Sequence, residues 1–194
     1  MKSLRSLLPL VLLSLSTFAL SQSDAPKLDS AKLDPAKADA LKAFDKLKTL
    51  AATWQGPVTM EPPMAEMASA GPVQVTLRVT SRGNSVVHEM KDAASADDPT
   101  KTDHPVTMFY LENGRLLLTH YCDAGNRPRM TARTSGDGKT IEFDFLDVAG
   151  DTQHGHMYHA VFTIIDANHH TEDWTFMMPG DKPMHGHMDL HRVN

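Results

Sequence analysis

The dipeptide Asn113-Gly114, which lies between two apolar stretches, constrains the fold of this chain more than any other feature. Asn-Gly is the preferred pair for a two-residue type I′ turn, because both central positions of that turn need a positive φ. The sequence therefore predicts a β-hairpin over residues 105–122 with a fixed register. That register pairs Glu112 with Arg115, Leu111 with Leu116, Phe109 with Leu118, and Thr107 with His120.

One face of the predicted hairpin carries no charged side chain, because side chains alternate between the two faces of a strand. Its members are Thr107, Phe109, Leu111, Leu116, Leu118, His120 and Cys122. This face is apolar near the turn and becomes polar at the far end. We expect it to point inward and to form half of a ligand pocket.

The first 21 residues have the pattern of a secretory signal peptide. Lys2 and Arg5 supply the charged start, an apolar run follows, and Ala19-Leu20-Ser21 is a small-x-small cleavage site. The apolar run is short for a membrane span, and no cysteine follows it that could carry a lipid. The sequence predicts a signal peptide over 1–21, a flexible linker over 22–34 and one domain over 35–194, in a periplasmic or secreted protein with no stable membrane anchor.

The charge of the chain argues against a nucleic-acid partner. The formal net charge is -5, and it becomes -7 when Lys2 and Arg5 leave with the signal peptide. Proteins that bind phosphate backbones need a basic surface. We therefore expect no nucleic acid among the partners.

A single helix should precede the strands. Asp34 is a good N-cap, and Pro35 suits the first helical position. Four apolar residues recur at helical spacing on one face, namely Leu41, Phe44, Leu47 and Leu50. The helix should end near Ala52.

The rest of the chain reads as a series of strands joined mostly by short turns. Residues 72–80 alternate cleanly between apolar and polar, whereas 60–71 reads as an irregular loop rich in Pro and Met. About ten strands result, and short connections make neighbours antiparallel. We therefore predict an all-β fold, an antiparallel up-and-down β-barrel of about ten strands after one N-terminal α-helix; a β-sandwich is the alternative.

A short motif carries a family resemblance. Leu47-x-x-Leu50-Ala51-x-x-Trp54-x-Gly56 resembles the entry to the first strand of lipocalin-like (calycin) barrels, in which the tryptophan plugs one end of the barrel. In outline the following strands are similar to the ten-stranded fatty-acid-binding and nitrobindin-like branch. The resemblance implies a central cavity for a small, mostly apolar ligand.

Two further implications come from resemblance alone. Nitrobindin-like relatives bind haem through a histidine near the end of the barrel, so haem is a candidate ligand with no residue of this chain assigned to it. The segment from Thr119 to Met130 also resembles an uncharacterised group of exported bacterial proteins. That second likeness assigns no activity.

The last two strands contribute polar residues to the predicted interior. Trp174 and Phe176 should face inward, and a period of two sends His170 and Glu172 the same way. A buried carboxylate needs a partner, which His120, His170 or Arg129 could supply; the alternative is a solvated position at the rim. The predicted ligand-binding residues are Thr107, Phe109, Leu118, His120, Phe143, Tyr158, Glu172 and Trp174.

Histidines are concentrated in the C-terminal part of the chain, where eight of the eleven lie between His154 and His191. In a strand, residues i and i+2 share a face, so the pairs His154/His156 and His185/His187 could each offer two imidazoles to one metal. Imidazole with thioether suits copper, and imidazole with carboxylate suits zinc. The alternative function is therefore binding of copper or zinc by a periplasmic protein. The simpler interpretation is that these histidines lie on the outer face and are only solvated.

Motifs of the common enzyme classes are missing from the sequence. The chain has no nucleophile elbow, phosphate loop, HExxH or paired-thiol motif. A Glu172/His120 acid–base pair is conceivable. Binding of a small molecule, rather than catalysis, is the function that the sequence favours.

Overall fold

The computed structural model describes residues 34–64, 71–94 and 98–193. The predicted signal peptide and nearly all of the predicted linker lie outside these residues. In the part of the chain that is described, no helix is both long enough and apolar enough to cross a membrane.

The single α-helix, α1, spans Pro35–Lys48. Its N-terminus is capped as the sequence predicts, because the Asp34 side chain accepts a hydrogen bond from the backbone N–H of Ala36. Its buried face consists of Ala43, Phe44 and Leu47, which join the main core. Leu41, which shares the helical spacing, is about one-third exposed.

Eleven strands follow the helix among the described residues. Their bounds are β1 (Ala52–Gly56), β2 (Val58–Glu61), β3 (Val73–Thr80), β4 (Ser85–Asp92), β5 (Val106–Glu112), β6 (Arg115–Tyr121), β7 (Arg127–Thr134), β8 (Thr140–Ala149), β9 (His156–Ile164), β10 (His169–Met178) and β11 (Lys182–Val193).

Ten of these strands close an antiparallel barrel. The order from β3 to β11 follows the sequence, and β1 pairs with both β3 and β11. The all-β barrel prediction is therefore confirmed, and the β-sandwich alternative is wrong. Closure leaves no free edge on these ten strands.

The eleventh strand, β2, is the main departure from the predicted order. It lies in a region that the sequence assigns largely to a loop, and it pairs with β11 beside β1. Pro57 separates β1 from β2, and a proline cannot donate a ladder hydrogen bond. Within the described residues β2 has no pairing with β3.

The central hairpin has the predicted register. Thr107 pairs with His120 and Phe109 pairs with Leu118. Asn113 and Gly114 have φ values of 51° and 77°, as a type I′ turn requires. This turn lies at the end of the barrel where α1 packs against β5, β6 and β7, which we call the helix end. The opposite end is the open end.

Trp54 and Gly56 have distinct structural roles at the start of the barrel. Trp54 is fully buried, donates its indole N–H to the carbonyl of Leu50, and lies beneath the Arg192 guanidinium at 4.3 Å. A Cβ on Gly56 would lie 1.7 Å from the backbone oxygen of Asp189. Only glycine allows β11 to approach β1 this closely.

Candidate functional site

A cavity of about 460 Å³ opens at the open end of the barrel. Its wall contains six methionines: Met60, Met64, Met90, Met157, Met184 and Met188. The other lining residues are Val58, Gly71, Val73, Lys91, Asp92, Asp103, Pro105, Trp174, Phe176 and Gly186. We call this space the methionine-lined cavity.

Strand alternation explains why these residues converge. Met184, Gly186 and Met188 occupy alternate positions of β11, and β10 contributes Trp174 and Phe176 opposite them. The register pairs Trp174 with Gly186 and Phe176 with Met184. The inward direction predicted for Trp174 and Phe176 is therefore confirmed.

A β-bulge in β9 changes which residue faces the cavity there. Thr175 pairs with His159, but Phe176 pairs with Met157, so Tyr158 is an extra residue. Met157 takes the inward position, whereas Tyr158 is 41% exposed and stacks on Phe145 at 5.2 Å. The predicted inward position of Tyr158 is wrong for this reason.

A buried polar cluster lies deeper in the barrel, around Glu172. The Glu172 side chain is fully buried and accepts three hydrogen bonds. One comes from His88 Nε2 at 2.9 Å, one from His170 Nε2 at 3.0 Å and one from Trp174 Nε1 at 2.9 Å. An ionised carboxylate only accepts hydrogen bonds, so both imidazoles carry a proton on Nε2.

The charge of Glu172 is stabilised by its neighbours. Burial alone raises the pKa of this carboxyl, but attraction to His88 and the hydrogen bonds from His170 and His88 outweigh burial. The pKa of Glu172 therefore lies well below its ordinary value. A carboxylate without these partners would be strongly disfavoured at this depth.

His120 lies at the edge of the same cluster and has a different partner. Its Nδ1 lies 2.8 Å from the Thr107 hydroxyl, directly across the hairpin. Burial, followed by repulsion from His88, lowers the pKa of His120 to about 3. His120 is therefore neutral at pH 7, and it makes no hydrogen bond to Glu172. The conceivable Glu172/His120 acid–base pair is therefore not formed.

Three imidazole nitrogens in the interior lack a hydrogen-bond partner among the described residues. They are Nδ1 of His88, Nε2 of His120 and Nδ1 of His170. Native proteins satisfy most buried polar groups, so such a concentration is unusual. These atoms give the interior unused hydrogen-bonding capacity close to the cavity.

Trp174 connects the methionine-lined cavity with the polar cluster. Its side chain lines the cavity, and its indole N–H donates to Glu172. The two regions are also adjacent along β4, where Met90 lines the cavity and His88 is the next inward residue. The polar cluster therefore lies one inward position below the cavity.

The predicted ligand-binding residues separate into three groups. Trp174 lines the cavity, and Tyr158 is on the outside. The other six are buried to 98% or more and fill the interior below the cavity: Thr107, Phe109, Leu118, His120, Phe143 and Glu172. The methionine-lined cavity is therefore nearer the open end than the sequence analysis predicted.

His88 was not among the predicted site residues. The signal that could have found it is the alternation Val86-x-His88-x-Met90 in β4, which puts a histidine between two apolar inward positions. Arg129, which the sequence offered as a partner for Glu172, forms a two-point contact with Asp147 on the outer face, with N–O distances of 2.9 and 2.6 Å.

Neither predicted pair, His154/His156 or His185/His187, belongs to a group of three or more metal-binding side chains among the described residues. His154 is exposed, and His156 contacts the backbone oxygen of Met157. His185 and His187 lie on the outer face of β11, where they contact Thr175 and Asp173 respectively. The described residues instead form two other groups with metal-binding residue types, His169/Asp189/His191 and Glu142/Asp144/His159.

Comparisons with known proteins give only distant structural similarity. No family model and no curated protein matches the chain. A redesigned β-barrel is similar at 13% identity and a TM-score of 0.31, over 76% of this chain and 95% of that one. A protein of unknown function from the DUF3598 family of Nostoc punctiforme is similar at 7% identity and a TM-score of 0.24, over 79% of this chain and 99% of that one.

Proposed function

We propose that this protein is an exported barrel that binds a small, mostly apolar molecule in the methionine-lined cavity. The observation that carries the proposal is the cavity itself, which has a volume of about 460 Å³ and six methionines in its wall. Small-molecule sites are typically apolar clefts of about 300–1,000 Å³ with a few polar groups. The size and composition of this cavity fall within that class.

The side chains of the wall suit a flexible apolar ligand. Methionine is unbranched and polarisable, so it adapts to ligands of different shape and packs well against rings. Trp174 and Phe176 add aromatic surface. The polar groups Lys91, Asp92 and Asp103 among the lining residues favour a molecule with one polar end.

Gly186 supports the proposal because it keeps the cavity open. It occupies an inward position of β11 between Met184 and Met188. A Cβ at this position would lie 3.2 Å from Met60 Sδ, within the cavity wall. Any larger side chain would occupy the space that we assign to the ligand.

Export and the relation to lipocalin-like barrels belong to the same proposal. Export is supported by the signal-peptide pattern of 1–21. The relation is supported by the closed barrel and by Trp54, which is buried near the end that α1 covers. Haem held by a histidine does not fit this cavity, because no histidine is among its described lining residues.

Native mass spectrometry of protein purified from its own compartment tests the proposal directly. We expect an organic adduct, and cleavage after Ser21 should be visible in the mass of the mature chain. Protein that carries no organic adduct after gentle handling, and that binds no apolar probe, would contradict the proposed function.

Filling the cavity provides a second test. Gly186→Leu should weaken binding of 1-anilinonaphthalene-8-sulfonate by at least about tenfold, which corresponds to about 1.4 kcal/mol. Met60 can move aside, so the variant should remain folded. His185→Leu is the matched control, because it adds the same side chain to the next residue on the outer face. Equal binding by both variants would argue against the cavity as the site.

A further inference from the structure

His169, Asp189 and His191 lie together on the outer face of β10 and β11, near the helix end. His169 Nε2 lies 2.6 Å from Asp189 Oδ1, and His191 Nε2 lies 3.7 Å from the same oxygen. The two imidazole rings are stacked, with centroids 4.2 Å apart. Two nitrogens and one oxygen of the types that bind transition metals therefore converge on one point.

The sheet holds these three residues in place. His169 and His191 are directly opposed in the register of β10 and β11, and Asp189 is two residues before His191 on the same face. That face points outward because Met188 and Leu190 are buried. Ligands on paired strands are positioned more exactly than ligands on loops.

The distances are close to those that a bound cation requires. Zinc binds imidazole nitrogen and carboxylate oxygen at about 2.0–2.2 Å, so neighbouring ligands of a tetrahedral ion are about 3.3 Å apart. The 2.6 Å contact would have to widen and the 3.7 Å contact to shorten. Both changes are below 1 Å, and all three ligand atoms lie within 4.8 Å of one another.

The local charge distinguishes this group from the other candidate group. In the Glu142/Asp144/His159 group, the Arg133 guanidinium already contacts both carboxylates at 2.6 and 2.7 Å. Asp189 has ion pairs only with the two histidines among the described residues. A cation would thus displace an arginine in one group and only protons in the other.

We propose that His169, Asp189 and His191 form a binding site for one divalent transition cation, Zn²⁺ or Cu²⁺, on the outside of the barrel. Two imidazoles and one carboxylate suit both ions, and three protein ligands leave a coordination position for water. The site uses none of the four histidines that the sequence analysis assigned to metal. It is also independent of the proposed ligand in the cavity.

Calorimetric titration of the untagged protein with Zn²⁺ at pH 7.5 tests this site, and electron paramagnetic resonance tests Cu²⁺. We expect one ion per chain and, for Cu²⁺, a spectrum with two imidazole nitrogens. His169→Gln and His191→Gln should each weaken binding at least about 100-fold, because loss of an outer-shell partner alone costs about 10–100-fold. Binding should weaken at pH 5.5, where protons compete for the imidazoles.

The matched control is the double variant His185→Gln/His187→Gln, which removes two outward imidazoles from the same strand. It should keep the affinity for Zn²⁺ within about threefold of the unmodified protein. An equal loss in this control, or more than one ion per chain, would mean adventitious binding along the histidine-rich surface and would overturn the proposal. Absence of binding below 1 mM Zn²⁺ would also overturn it. Circular dichroism and melting temperature verify that each variant is folded.

Discussion

Replacement of Glu172 by glutamine is the sharpest test of the buried polar cluster. The substitution keeps the size of the side chain, but it removes the negative charge and places an NH₂ group where only hydrogen-bond donors surround it. Those donors are His88 Nε2, His170 Nε2 and Trp174 Nε1, all within 3.0 Å of a carboxylate oxygen. The amide oxygen can keep His88 and Trp174, but the NH₂ group then faces His170, which can accept from it only by moving its proton to Nδ1, an atom with no partner among the described residues.

The expected cost follows from the burial and from these hydrogen bonds. Removing one partner from a buried charged cluster costs about 3–5 kcal/mol, because the remaining polar groups stay buried without compensation. In a domain of this size, 1 kcal/mol shifts the melting temperature by roughly 2–4 °C. We therefore expect Glu172→Gln to lower the free energy of unfolding by about 3–5 kcal/mol and the melting temperature by roughly 6–20 °C.

The pH dependence supplies a signature that simple packing damage would not have. The folded-state pKa of Glu172 is lowered from 4.5, so the charged carboxylate stabilises the fold fully above pH 4.5. That contribution is lost as the pH falls toward the folded-state pKa. The difference in unfolding free energy between the wild type and Glu172→Gln should therefore be largest near pH 7 and shrink below pH 4.5.

Urea denaturation at a series of pH values measures both quantities. Glu89→Gln is the control, because Glu89 is half-exposed on the outer face of β4 and its replacement should change stability by no more than about 0.5 kcal/mol. The reasoning would be refuted by a cost below about 1 kcal/mol for Glu172→Gln. A difference from the wild type that stays constant below pH 4.5 would also refute it.

Two further predictions concern single residues. His120→Gln should reduce the loss of stability between pH 6.5 and about 3, because in the wild type the unfolded chain takes up a proton on His120 that the folded chain does not. In the wild type this residue changes the free energy of unfolding by up to about 1.4 kcal/mol per pH unit. If urea denaturation gives the same change of unfolding free energy with pH for both proteins, the assignment is contradicted. Gly56→Ala should destabilise the protein severely, because its Cβ would lie 1.7 Å from a backbone oxygen of β11. Gly136→Ala is the control, since a Cβ there meets nothing within 4 Å. Similar melting temperatures for the two variants would show that β1 and β11 can separate without cost.

Features encoded by neighbouring residues were predicted correctly from the sequence. Asn113-Gly114 fixes a turn by its own φ preferences, and the turn then sets every pair of the hairpin, including Thr107 with His120. The helix and its N-cap are equally local, although the helix ends at Lys48 and Ala52 already belongs to β1. Alternation along β10 gave Glu172 the same direction as Trp174 and left open a solvated position at the rim; the structure shows Glu172 fully buried.

Features that depend on distant parts of the chain were decided only by the tertiary structure. The partner His88 is 84 residues from Glu172, and no local pattern joins them. The bulge at Tyr158 is an offset between β9 and β10, so it is invisible in either strand alone. Because of this bulge, Met157 and not the predicted Tyr158 lies in the cavity wall.

The position of the open space and the grouping of the histidines are also tertiary properties. A cavity is the volume that remains after side chains from all facing strands have packed. Large buried side chains occupy the predicted pocket, whereas Gly186, which has no side chain, leaves space nearer the open end. Which histidines meet depends on cross-strand register, which brings His169 to His191 rather than joining the i, i+2 pairs. Sequence spacing determined which face of a strand each imidazole occupies, and strand pairing determined its neighbours.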